Sequence, residues 1–155
     1  MNSFFISPYL IKFIIGENIM TKRVIIAVVA VFIAWSALDF LIHGLLLRST
    51  YAATSSLWRP MDEMNRPVMS CVTLVVAACF VTIYGRLIEE KSLASGIRYG
   101  AIFGLATGAS MGFGSYSYMP IPLTLACSWF IGSWIEAIVA GAIVGAIVKP
   151  RTGNG

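Results

Sequence analysis

The chain has 155 residues, 58% of them hydrophobic and 12% charged, and its mean hydropathy of +0.84 leaves too little polar side chain to coat a soluble globule. Its 11 Lys and Arg against 7 Asp and Glu give a formal charge of +4, but the basic residues stand at the ends of apolar runs and form no patch suited to nucleic acid. The composition predicts an all-α, polytopic membrane protein whose first partner is the lipid bilayer, and it excludes a nucleic-acid binder.

Residues 1–19 are apolar but broken by Pro8, Lys12, Gly16 and Glu17, so they are too interrupted to span and lack the small-residue pattern of a cleaved signal. Two expectations follow: an N-terminal extension, 1–20, lying in the headgroup region, or a natural start at Met20, where Met20-Thr21-Lys22-Arg23 precedes an apolar run. The first span is expected over 24–47. On its wheel Trp35, Asp39 and His43 follow one another at i, i+4 and share a face with Phe32 and Ser36, while Ala27, Ala30, Ala34, Ala37 and Gly44 line the other side. The small side suits close helix packing, and the opposite side carries the polar groups.

The loop 48–67 holds Ser55-Ser56-Leu57-Trp58, which suits a short interfacial helix, then Pro60 and a mixed-charge tip of Arg59, Asp62, Glu63 and Arg66. It reads as a solvated connector or as a lid over the outer end of span one. A second span is expected over 68–87, with Ser70, Thr73 and Thr82 able to bond their own backbone, and a short charged turn follows it. Cys71, Cys79 and Cys127 all fall within spans. The first two are separated by roughly 12 Å along one helix, too far for a disulfide, and no Cys-x-x-Cys or His-x-x-x-His pair marks a metal site.

The third span, 97–119, carries the clearest pattern. Gly96, Gly100, Gly104, Gly108 and Gly112 recur at every fourth residue, a stripe that lets another backbone approach closely. Pro120 and Pro122 end it. The fourth span, 123–148, offers Ser133, Ala137, Gly141 and Gly145 in one row and Ser128, Gly132, Glu136 and Ala140 in the next, a natural partner for that stripe. A polar tail, 151–155, closes the chain.

A cytoplasmic N-terminus puts all the basic residues inside except Arg48, Arg59 and Arg66, which favours a four-helix bundle with both termini cytoplasmic. Tyr51, Trp58, Tyr116, Tyr118 and Trp129 then form an outer aromatic belt. In that topology Asp39 and Glu136 lie at similar depth, with His43 one turn from Asp39 and Trp35 and Trp134 beside the acids.

Carboxyl groups in a bilayer normally face a protein interior and find a partner. Asp39, His43 and Glu136 are therefore the candidate polar or ion site, readable as a hydrogen-bonded clasp, as a proton or cation relay, or as an incomplete metal site. The indole N–H groups of Trp35 and Trp134 are candidate donors to the carboxylates. No cofactor is predicted.

The pattern Leu38-Asp39-Phe40-Leu41-Ile42-His43-Gly44, then Leu57-Trp58-Arg59-Pro60 with Glu63-Met64-Asn65, then a glycine-rich third span, Pro120-x-Pro122 and Lys149-Pro150, resembles small bacterial four-helix integral membrane proteins of unknown function. The resemblance covers most of 21–150. It implies a four-span architecture in the bacterial inner membrane and no activity. The leading expectation is a non-enzymatic accessory or structural subunit that packs through its glycine faces, as a homo-oligomer or within a larger membrane complex. The rival is a proton- or cation-coupled permease using Asp39, His43 and Glu136, and a metal-dependent membrane enzyme at the same cluster ranks third.

Overall fold

The apolar run after Lys22 has no Gly or Pro before Gly44, and it forms helix from its first described residue. The computed structural model describes residues 22–148, so the expectations for the extension 1–20, the start at Met20, the basic residues Lys12, Lys149 and Arg151, and the tail lie outside it. Helix α1 (Lys22–Asp39) passes into a wider π-helical stretch, Phe40–Leu46, then a short α2 (Arg48–Ala53) and a single 3-10 turn, Ser55–Leu57. Helix α3 (Arg66–Leu87) follows, then α4 (Leu93–Ala109), which runs on through a π stretch, Ser110–Gly114, into α5 (Ser115–Tyr118). The last helix is α6 (Leu123–Ile147). Among the described residues all regular structure is helical.

Three helices are long and apolar enough to cross a membrane: Lys22–Leu46, Arg66–Leu87 and Leu123–Ile147. The segment from Leu93 to Tyr118 is of similar length, but its glycines and serines make it less apolar than the other three. The helix ends follow local chemistry. Asn65 caps α3 by accepting from the Val68 N–H at 3.1 Å, with a proline in the first turn. Helix α4 starts four residues earlier than the sequence predicts, because Ser92 and Ser95 form a reciprocal capping box, with bonds of 3.1 and 3.0 Å. Lys91 closes α3 from beyond its end, donating to the carbonyls of Tyr84 (2.8 Å) and Ile88.

The glycine stripe of α4 lies against α6 along its whole length. A methyl group added at Gly104 would sit 2.7 Å from the Ala137 Cβ, and one at Gly108 would sit 2.8 Å from the Phe130 carbonyl oxygen. At Gly96 it would meet the Gly141 carbonyl oxygen, and at Gly112 the Ala126 carbonyl oxygen. Gly145 faces Ser92 and Leu93 in the same way. Both small-residue rows are thus occupied by each other inside one chain.

Helix α1 meets expectation only in part. Of its small-residue side Ala27 is buried and Ala30 and Ala34 are half-buried, while Ala37 and Gly44 are exposed and Val28, Val31 and Trp35 complete the packed face. The large Trp35 makes the better contact because it reaches Phe80 edge-on at 5.5 Å and donates its indole N–H to the Glu136 carbonyl at 2.9 Å.

Two apolar clusters fill the molecule. One, at the end holding the α3–α4 turn, centres on Val31, Phe80, Val81, Tyr84 and Val144. The other, at the end holding the 48–65 segment, joins Leu47, Leu125, Ala126 and Trp129 to Tyr51, Leu57 and Trp58 of that segment. Helix α3 is fastened only at the first cluster. Its buried residues are Ala77, Phe80, Val81 and Tyr84, and nothing from Arg66 to Val76 is buried. There Phe80 packs on a tilted Tyr99 ring (4.5 Å) and edge-to-face on Phe103 (4.9 Å), and the Tyr99 hydroxyl donates to the Phe80 carbonyl at 3.0 Å.

Candidate functional site

The unfastened half of α3 leaves a cleft of about 200 Å³ that reaches the centre of the bundle. All four long segments line it. Trp35 and Asp39 come from α1, Val72, Thr73 and Val76 from α3, Phe103 and Thr107 from α4, and Ser133, Glu136 and Ala137 from α6. Phe103, which packs on Phe80, forms part of its wall. Asp39 and Glu136, distant in sequence, approach within hydrogen-bonding reach of each other here. Two ionised carboxylates are both acceptors, so a bond between them requires a proton on one. The Glu136 Oε1 atom is buried and has no hydrogen-bond partner, while the Asp39 side chain is 46% exposed.

His43 does not enter the cleft. Its ring joins Asp39 to the 48–65 segment. The Nε2 atom stands 3.8 Å from Asp39 Oδ1, an electrostatic contact too long for a hydrogen bond, and the Nδ1 atom lies 2.6 Å from the Tyr51 hydroxyl. Tyr51 in turn lies 2.7 Å from the Trp129 Nε1. An indole N–H can only donate, so the phenol oxygen accepts from Trp129; in its contact with His43 Nδ1 the phenol donates or accepts according to the imidazole tautomer. Burial pushes the Tyr51 phenol above its ordinary pKa; the Trp129 hydrogen bond opposes this, and the negative charge of Asp39 adds to it. Tyr51 therefore stays neutral.

A line of four titratable side chains results: Tyr51, His43, Asp39, Glu136. It runs from the second apolar cluster to the centre of the molecule. The π-helical turn right after Asp39 widens the spacing along this face, with the Leu47 N–H bonding five residues back to the Ile42 carbonyl at 2.8 Å.

The other candidates are placed elsewhere. Trp35 and Trp134 do not donate to carboxylates: both indole N–H groups reach main-chain carbonyls, Trp35 that of Glu136 and Trp134 that of Ala101 at 3.0 Å. A helix backbone that passes within reach of an indole offers a fixed acceptor, and the cross-helix bond pins the ring. Trp58 packs on Tyr51 and Trp129 at 5.5 and 6.0 Å and donates to Thr54 Oγ1. Arg59, Asp62 and Glu63 are exposed at the loop tip, away from the carboxyl pair. Among the described residues no three His, Cys, Asp or Glu side chains converge as a metal donor set.

Sequence reasoning treated Tyr51 and Trp129 as interfacial aromatics and passed over Phe103 and Thr107. A signal existed for the first two. Trp35, Asp39, His43 and Tyr51 continue one four-residue spacing beyond the end of the span, and Trp129 lies two turns from Glu136 on α6. Compared with protein-family models, curated proteins and solved structures, the chain matches none.

Proposed function

We propose that this chain is a four-span protein of the bacterial inner membrane, with both ends cytoplasmic, and that it works as a small cation-coupled permease with Asp39 and Glu136 as the coupling site. The observation that carries this reading is the cleft, open where α3 is unfastened and ending on the carboxyl pair. A pair of acids that lines a cleft between apolar helices is the kind of group through which a coupled carrier binds its ion. The Tyr51–His43 link stands next to the pair, with His43 in electrostatic contact with Asp39 at 3.8 Å, so the charge on Asp39 and the protonation of His43 are coupled.

The accessory-subunit reading drew its strength from small-residue faces in excess of internal need. Those faces are spent on each other within the chain, which lowers that reading without bearing on what the exposed apolar flanks of α1 and α3 meet in the membrane. In proteoliposomes with an imposed pH gradient, Asp39→Asn and Glu136→Gln are expected to abolish proton flux while circular dichroism stays unchanged. Equal flux in wild type and both variants would sink the permease reading.

A further inference from the structure

The chemistry of the cleft wall restricts what can occupy it. Most of its polar atoms are acceptors. Thr73 spends its hydroxyl proton on the Met69 carbonyl at 3.1 Å and Thr107 spends its own on the Phe103 carbonyl at 3.0 Å, so each presents only oxygen lone pairs. The indole N–H of Trp35 is committed to the Glu136 carbonyl. No Lys, Arg or His lines the space. The wall therefore offers carboxyl oxygens, the two acceptor hydroxyls of Thr73 and Thr107, the Ser133 hydroxyl, which can donate or accept, and the buried Oε1 of Glu136, which lacks a donor, beside the aromatic side chains of Trp35 and Phe103. A ligand that satisfies these groups must bring N–H donors and positive charge.

Size narrows the choice. Drug-sized ligands occupy pockets of about 300–1,000 Å³, and this cleft is about 200 Å³. A metal ion held by these two carboxyls would have to keep several waters in its shell, and among the described residues no three His, Cys, Asp or Glu side chains converge to hold one more tightly.

Resting on the permease reading above, we infer that the cleft binds a small primary alkylammonium ion, its three N–H groups on Asp39, Glu136 and the Thr107 oxygen and its carbon chain against Trp35 and Phe103.

The test uses the purified full-length protein in mild detergent, with ethylammonium as the probe and binding measured by equilibrium dialysis of the radiolabelled ion. Saturable binding is expected, weaker by about tenfold in Glu136→Gln and in Thr107→Val, and weaker by about tenfold for tetramethylammonium, which has the charge but no N–H. Thr107→Val keeps the shape of a side chain bonded only to its own helix, so it reports on the acceptor even if the Glu136 variant does not fold. No saturable binding by folded wild type, equal binding of tetramethylammonium, or unchanged binding in Thr107→Val would overturn the inference. Proton flux measured on the same preparations separates the two readings: flux that needs Asp39 and Glu136 without ethylammonium binding removes the ligand and leaves the permease, and absence of both removes both.

Discussion

At the scale of single residues, Tyr51 is the hub of the polar line, because its hydroxyl accepts from Trp129 and is hydrogen-bonded to His43 Nδ1. Tyr51→Phe leaves both partners unpaired in a half-buried setting, and thermal unfolding in detergent is expected to show a loss of about 1–3 kcal/mol. The pH dependence follows from the raised phenol pKa. A group whose folded pKa lies above its unfolded value contributes fully below the unfolded value and loses that contribution as pH rises through the folded one. The wild type is therefore expected to keep its advantage over Tyr51→Phe up to about pH 10, the ordinary tyrosine value, and to converge on the variant above it. A constant difference through that range would mean that Tyr51 titrates normally. Lys91, by contrast, has its ammonium pushed below the ordinary lysine value by burial, with Glu89 opposing. Its bonds to the last carbonyls of α3 make it a C-terminal clamp.

At the scale of elements, the chain separates positions where glycine is obligatory from one where it is not. A side chain at Gly100 would come within 3.0 Å of the Gly141 Cα and run into the Ala137 carbonyl, whereas one at Gly85 would meet nothing within 4 Å. Gly100→Leu is expected to destroy the folded monomer, seen as loss of helix and of protease resistance, and Gly85→Ala to stabilise it by about 0.5–1 kcal/mol. A folded Gly100→Leu monomer would show that the α4–α6 contact is dispensable. The stripe was legible in the sequence because small residues at a period of four leave one physical solution, a close helix neighbour. The packed face of α1 was legible only in part, since wheel position alone does not say whether a tryptophan or an alanine row meets the next helix. The π turns escaped for a related reason. One inserted residue leaves the composition of a helix unchanged and shifts only its register, so the link from His43 to Tyr51 was readable as a spacing and not as a contact. The carboxyl pair was approachable from sequence through depth alone, and the cleft beside it was not, because it depends on where α3 fails to pack.

At the scale of the whole molecule, the cleft predicts a gradient of accessibility along α3. In a background with Cys71, Cys79 and Cys127 replaced by serine, Val76→Cys is expected to react with a membrane-impermeant thiol reagent and Val81→Cys to resist it, because Val76 lines the cleft and Val81 is fully buried in the aromatic cluster. Equal reactivity at the two positions would mean that the half-splayed arrangement does not persist in the membrane. The same asymmetry has a mechanical consequence. Helices α4 and α6 are joined backbone to backbone and can slide or part only by breaking the whole stripe, so they form the stiff spine of the protein. Helix α3 is gripped at the Phe80–Tyr99–Tyr84 end and free at the other. It is a lever pivoted at one end, and a tilt that swings its free arm inward would shut the cleft over Asp39 and Glu136 without disturbing a single glycine contact.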